Sequence, residues 1–257
     1  MRRSTRSILA VLSAATVALS LGTPAHAIAN GEQVPVGKYG FSVKLTMTGI
    51  PTADGGRRNS ACSGALVSPE WVITAGHCFR DANNVRVEYP VADLTTAAVG
   101  RTDLTDTSVG HQLTVVAVRQ SPTADVSLAK LETPVTDVRP IKLSSTAPAV
   151  GAILRVTGYG SVTSTNPVPV TWLRTGQLSV VSLSGAVVGL HGYAPEENTT
   201  PCPYDSGGPY FVEKGKKQFL VAVVSNGPSC PHTATENGAR TDNITDWIRS
   251  VISPAAH

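Results

Sequence analysis

A succession of short alternating apolar runs, each closed off by Gly, Pro, Asn or Asp, constrains this chain more than any other feature. Phe41-Ser-Val-Lys-Leu-Thr-Met, Val85-Arg-Val-Glu-Tyr and Leu113-Thr-Val-Val-Ala-Val come first; Ile153-Leu-Arg-Val, Gly176-Gln-Leu-Ser-Val-Val and Phe219-Leu-Val-Ala-Val-Val follow. A period of two turns one face of a strand to a core and the other to water, so the runs predict an all-β sandwich or barrel. No repeat period or low-complexity linker interrupts them. One helix is expected at the end, where Asp242 or Asn243 caps a run with Ile244, Trp247, Ile248, Val251 and Ile252 on one stripe, before Pro254 stops it.

Before the first strand, Met1 to Ala27 has the build of a secretory signal: Arg2, Arg3 and Arg6, an apolar core from Ile8 to Leu21, and the small-x-small site Ala25-His26-Ala27. A cut after Ala27 is expected, with a secreted, extracellular product by the general secretion route. That changes the charge argument. Three of the 21 basic residues belong to the leader, leaving 18 against 18 acidic ones, so no basic surface for nucleic acid or an anionic membrane is predicted. No later run is apolar for long enough to span a bilayer. The remaining residues, about 230, suit one large all-β unit or two small domains.

Cys62, Cys78, Cys202 and Cys230 all follow the leader. An even number in an exported chain favours disulfides. Three pairings are open, the short-range one joining Cys62 to Cys78 and Cys202 to Cys230. No Cys-x-x-Cys occurs, and His77 has no second ligand pair at usable spacing, so neither metal nor other cofactor is expected.

Pro201-Cys-Pro-Tyr-Asp-Ser-Gly-Gly-Pro is poor material for a helix or central strand and reads as a sharp loop presenting Ser206. A hydroxyl is a weak nucleophile unless a base and a group orienting that base are at hand. Two segments offer them. The strand Trp71 to Thr74 ends in small residues just before His77, beside Cys78. Asp125 heads the apolar run Val-Ser-Leu-Ala, where a carboxylate is buried only if it is paired. Each residue alone also fits a blander role: a turn serine, a surface histidine, a turn aspartate.

Together these segments resemble the chymotrypsin/trypsin-like serine peptidases, across essentially the whole chain after the leader and in that family's order. Thr-Ala-Gly-His-Cys stands for the family's Thr-Ala-Ala-His-Cys, Asp-Val-Ser-Leu for its Asp-Ile-Ala-Leu, and Asp-Ser-Gly-Gly-Pro is unchanged. The resemblance implies two six-stranded antiparallel Greek-key barrels, about 28–140 and about 141–241, within a peptidase domain spanning 28–257, with the active site between them and a C-terminal helix at about 242–252. It implies catalytic roles for His77, Asp125 and Ser206, an oxyanion hole from the backbone N–H groups of Tyr204 and Ser206, and Ser225 as a support for Asp125. It also implies an activating ion pair between the new α-ammonium of Ile28 and Asp205, made by leader cleavage itself with no zymogen stage.

Three departures bear on the site. Tyr204 replaces a glycine of the oxyanion loop, Asn226 replaces an aromatic on the substrate-binding strand, and Gly76 replaces an alanine beside His77, a change from which little is expected. The alignment puts Thr200 at the base of the primary pocket and Gly227 at its mouth, so apolar or small residues are the expected preference. Glu236 falls near the far wall and reads as a solvated loop acid, although a carboxylate there could draw a basic residue. His111, His191, His232 and the sequons at Asn198 and Asn243 read as surface features. The expectation is a secreted serine endopeptidase, expected as a monomer, with protein or peptide substrates and a proteinaceous inhibitor as an expected class of partner. An impaired homologue acting as a binding protein, or an esterase using the same residues, is the alternative.

Overall fold

The computed structural model describes residues 28–253; the leader over Met1–Ala27 and the Pro254 stop lie outside the described residues. Fourteen strands are present among them: β1 (Glu32–Gln33), β2 (Ser42–Pro51), β3 (Arg57–Ser68), β4 (Trp71–Thr74), β5 (Leu94–Val99), β6 (His111–Gln120), β7 (Ser127–Leu131), β8 (Lys142–Leu143), β9 (Ile153–Gly158), β10 (Arg174–Ser184), β11 (Val187–Ala194), β12 (Pro209–Lys214), β13 (Lys217–Asn226) and β14 (Glu236–Arg240). β2 to β7 close an antiparallel barrel in the order β2-β3-β4-β7-β6-β5. A second six-stranded ring runs β9-β10-β11-β14-β13-β12 and closes because β12 returns to β9, with Tyr210 opposite Val156. Of the two short strands, β1 adds to β10 and β8 runs parallel beside β13.

The alternating runs make these strands because one face has somewhere to go. In β2, Leu45 and Met47 are buried while Thr46 and Thr48 face water. The alternation fails at Lys44, only 5% exposed, because the second barrel covers that end of the strand: Ser42 Oγ lies 2.8 Å from Thr157 Oγ1, and Lys44 Nζ donates to Tyr159 O at 2.9 Å. Phe41 and Tyr39 meet Phe211 edge-on, with ring centroids 5.4 and 5.2 Å apart. This ring cluster fastens the barrels together, adding about 1 kcal/mol per pair beyond area burial.

Two expectations change. Val85 to Tyr89 forms no strand; Arg86 makes an isolated bridge to Arg80 and Val87 N donates to Phe79 O at 3.1 Å, so this segment's polar groups go to the turn that follows β4. The helix α1 spans Thr245–Ile252, after a 3₁₀ turn at Asp242–Ile244, and has no side-chain cap. Asp242 does not cap it because its carboxylate is held by Arg240 at 2.7 Å. Ile244 and Ile248 are buried as the stripe required.

Candidate active site

Both barrels contribute to one cleft. β4 ends in a 3₁₀ turn, Gly76–Cys78, that carries His77, and Asp125 stands just before β7. Asp125 Oδ1 accepts the His77 backbone N–H at 2.9 Å, and Oδ2 lies 2.8 Å from His77 Nδ1. Ser225 Oγ, from β13 of the second barrel, donates to the same Oδ2 at 2.7 Å. Burial by itself would raise the Asp125 carboxyl, but the hydrogen bonds from His77 and Ser225 and the neighbouring imidazole outweigh it and hold the group at about 2. An ionised carboxylate only accepts, so Nδ1 is the nitrogen that donates to it, which leaves Nε2 to hold the lone pair whenever the imidazole is neutral. His77 and Ser206 line one cavity of about 370 Å³, together with Tyr204. A disulfide from Cys62 to Cys78 ties the His77 turn to β3, and one from Cys202 to Cys230 ties the Ser206 loop to the segment after β13.

The loop bearing Ser206 is fixed by Asp205, whose side chain is fully buried. Its Oδ1 accepts Gly160 N–H at 2.8 Å and its Oδ2 accepts Cys202 N–H at 3.0 Å, and the Ile28 N–H also bonds to it. Burial nevertheless pushes this carboxyl up to about 7. Ile28 is fully buried, and Ala29 exchanges two backbone hydrogen bonds with Thr200, so the segment that follows the predicted leader is docked in the protein. Tyr204 occupies φ +75°, a left-handed conformation that costs a non-glycine residue on the order of 1 kcal/mol. Ser63 Oγ donates to Tyr204 O at 3.1 Å, and Lys44 Nζ lies over the Tyr204 ring.

A second cavity of about 360 Å³ opens beside Ser206, walled by Pro201, Cys202, Val224, Asn226, Gly227 and Glu236. Thr200 is not in this lining; it is fully buried, its backbone paired with Ala29. Glu236 is not a solvated loop acid: it is 2% exposed, starts β14, and has Oε1 2.8 Å from His232 Nε2. Burial raises its carboxyl, with His232 pulling the other way. A Cβ at position 227 would fall on this carboxylate, so the glycine makes room for Glu236. His232 is likewise no surface feature. Asn226 is exposed; its amide donates to Ser225 Oγ at 3.1 Å.

Gly76 matters more than expected. A Cβ there would lie 2.8 Å from Arg86 Cζ and 3.0 Å from Asp125 Oδ1. Arg86 itself drew no attention in the sequence beyond its place in an alternating run. Among the described residues no group of three or more His, Cys, Asp or Glu side chains gathers as a metal site would require.

The family profile described as Trypsin matches residues 28–248. The chain is 28% identical over 209 residues to "Protein C activator" of Agkistrodon piscivorus leucostoma, covering 76% of this chain and 78% of that protein. It is 27% identical to "Beta-fibrinogenase-like" of Daboia siamensis over 205 residues, 75% and 78% of the two chains. "Snake venom serine protease KN13" of Trimeresurus stejnegeri is 26% identical over 250 residues, covering 88% and 87%.

Proposed function

Because the chain belongs to the trypsin family and is a serine-type endopeptidase, we propose that His77, Asp125 and Ser206 form its catalytic triad. The observation that carries this reading is the doubly bonded His77–Asp125 pair beside Ser206 in one cavity. His77 Nε2 takes the Ser206 proton as Oγ attacks the scissile carbonyl, then returns it to the leaving amine; Asp125 holds the tautomer and stabilises the imidazolium. Water enters by the same base and hydrolyses the acyl-enzyme. The N–H groups of Tyr204 and Ser206 face the developing oxyanion. Ser225 keeps Asp125 ionised and aligned.

For the primary pocket, the expected preference for apolar or small residues rests on uncharged Thr200. The cavity's lining includes the Glu236 carboxylate and not Thr200, and this observation favours a basic side chain that exchanges the His232 contact for its own. We read the substrate as protein or peptide cleaved after Lys or Arg. The leader over residues 1–27 directs secretion, its removal frees the Ile28 ammonium to neutralise Asp205, and residues 28–257 act as one peptidase domain of two barrels.

The test is fluorophosphonate labelling of the secreted protein beside Ser206→Ala, with N-terminal sequencing of the labelled species. Labelling of the wild type alone, on a chain starting at Ile28, is the expected result. A folded chain starting at Ile28 that takes no label overturns the enzyme reading in favour of a binding role, with Tyr204 blocking the hole. Peptide against simple ester substrates separates the peptidase from an esterase.

A further inference from the structure

His77 and Asp125 sit on two separate loops of the first barrel, and their direct contact is short-ranged. A second connection joins the loops behind them. Arg86, half-buried, donates from Nη1 to Ala124 O at 3.0 Å and from Nη2 to Ser121 O at 2.7 Å, so its guanidinium fork closes on the loop that ends in Asp125. Its Nε donates to Gln120 Oε1 at 3.0 Å. The Gln120 amide nitrogen then reaches the other loop, lying 3.2 Å from Gly76 O, 3.4 Å from Phe79 O and 3.0 Å from Val87 O. An unbroken line of hydrogen bonds therefore runs from the carbonyl preceding His77, through Gln120 and Arg86, to the carbonyl preceding Asp125.

We propose that Arg86 is a positioning residue for the His77–Asp125 pair, working with Gln120 as a strap between the two loops. The inference rests on the triad reading above, since the pair is what it positions. Gly76 is the companion of this strap. A methyl group at 76 would sit 2.8 Å from Arg86 Cζ and 2.9 Å from its Nε, well inside van der Waals contact. An unrestrained arginine would swing away at little cost. This one is held by three hydrogen bonds, each made by a charged donor and so stronger than a neutral one, and moving it breaks the strap. The same methyl would approach Asp125 Oδ1 at 3.0 Å. Alanine beside the catalytic histidine therefore displaces this guanidinium, and where the guanidinium is missing only the tight approach to Asp125 Oδ1 remains. Glycine at 76 and arginine at 86 form a matched pair.

The experiment is a double-mutant cycle of Gly76→Ala and Arg86→Ala, with Gln120→Ala as an independent break in the strap. Two readouts go beyond folding: kcat separated from KM on a peptide, and the low-field proton resonance of the His77 Nδ1–H bonded to Asp125. The resonance needs no turnover, so the strap is tested even on a chain that fluorophosphonate labelling shows to be inactive. In an active chain each single variant is expected to lower kcat about tenfold to a hundredfold, the effect of small misplacements in a reacting geometry, with KM within about twofold. Each also shifts or broadens the resonance, and the double variant is no worse than Arg86→Ala. Retention of the wild-type resonance in Arg86→Ala, or in Gln120→Ala should the arginine variant not fold, overturns the proposal. So does a double variant whose loss is the product of the two single losses, because Gly76 and Arg86 would then act independently.

Discussion

The Lys44 ammonium lies 5.7 Å from the centroid of the Tyr204 ring, which places a buried cation beside the one non-glycine residue of the Ser206 loop held in the left-handed region. Burial brings Lys44 down to about 8, with Asp205 opposing the shift. The unfolded chain binds this proton up to about 10.5, so between those values it holds more protons than the folded one. Stability contributed by this residue therefore rises with pH, by about 2 kcal/mol from pH 8 to 10. Urea unfolding across that range is expected to show the rise, and Lys44→Met to flatten it. Equal slopes for the two chains would remove Lys44 from the account.

At the other side of the same loop, Asp205 is fully buried at about 7 while Ile28 offers only an amide N–H. A carboxyl raised from 3.8 makes folding less favourable as pH climbs from about 4 to 7, because the folded chain then binds the extra proton. An α-ammonium at Ile28 would offset this by charge pairing. A chain beginning at Ile28 is expected to exceed one retaining Ala27 by about 3 kcal/mol at pH 7.5, and by almost nothing at pH 4. Paired thermal or denaturant melts at the two pH values decide it.

Asp125 behaves oppositely. Its carboxyl is held at about 2 against 3.8, so its stabilising effect is complete above about pH 4 and disappears as pH falls toward 2, a change of about 2 kcal/mol. Asp125→Asn should abolish that acid dependence. It should also lower kcat by about 10⁴ while leaving the fold in place, since the amide stabilises the wrong imidazole tautomer. Acid titration of stability and steady-state kinetics on one preparation check both.

Glu236 lines the cavity beside Ser206 that is proposed as the primary pocket, with its Oε1 2.8 Å from His232 Nε2. Replacing it by Gln keeps its shape and removes its charge. The ratio of kcat/KM for a lysine substrate over its leucine counterpart is expected to fall about a hundredfold, in keeping with the loss of a buried charge pair. An unchanged ratio would return the pocket to the apolar or small preference that Thr200 alone implied.

The strand pattern and the three motifs were legible because each depends on local information: a period of two, a glycine-rich turn, a small-residue approach to a histidine. Val85 to Tyr89 misled for the same reason. Alternation says that a segment is able to pair, and only its neighbours decide whether it does; here the Val87 N–H goes to Phe79 after the His77 turn, and the Arg86 side chain goes to Ser121 and Ala124 ahead of Asp125. Arg86 in a strand-like run and His232 in a proline-flanked loop carry no local mark of their contacts with the site.

The strand runs, the order of the His77, Asp125 and Ser206 motifs and the terminal apolar stripe follow from the chain's own patterning; the two barrels were implied by the family resemblance, and the fold selected Cys62–Cys78 and Cys202–Cys230 from the three open pairings. The partners of Lys44, Arg86 and Glu236 do not. Each is a charged group whose energy is set by what the fold places within a few ångströms of it and by how much water it loses. Residues far apart in sequence supply those surroundings: Tyr204 and Asp205 for Lys44, Ala124 and Ser121 for Arg86, and Gly227, nine positions upstream, for Glu236. Tertiary structure alone decides them, because desolvation and pairing depend on distances that a sequence does not carry.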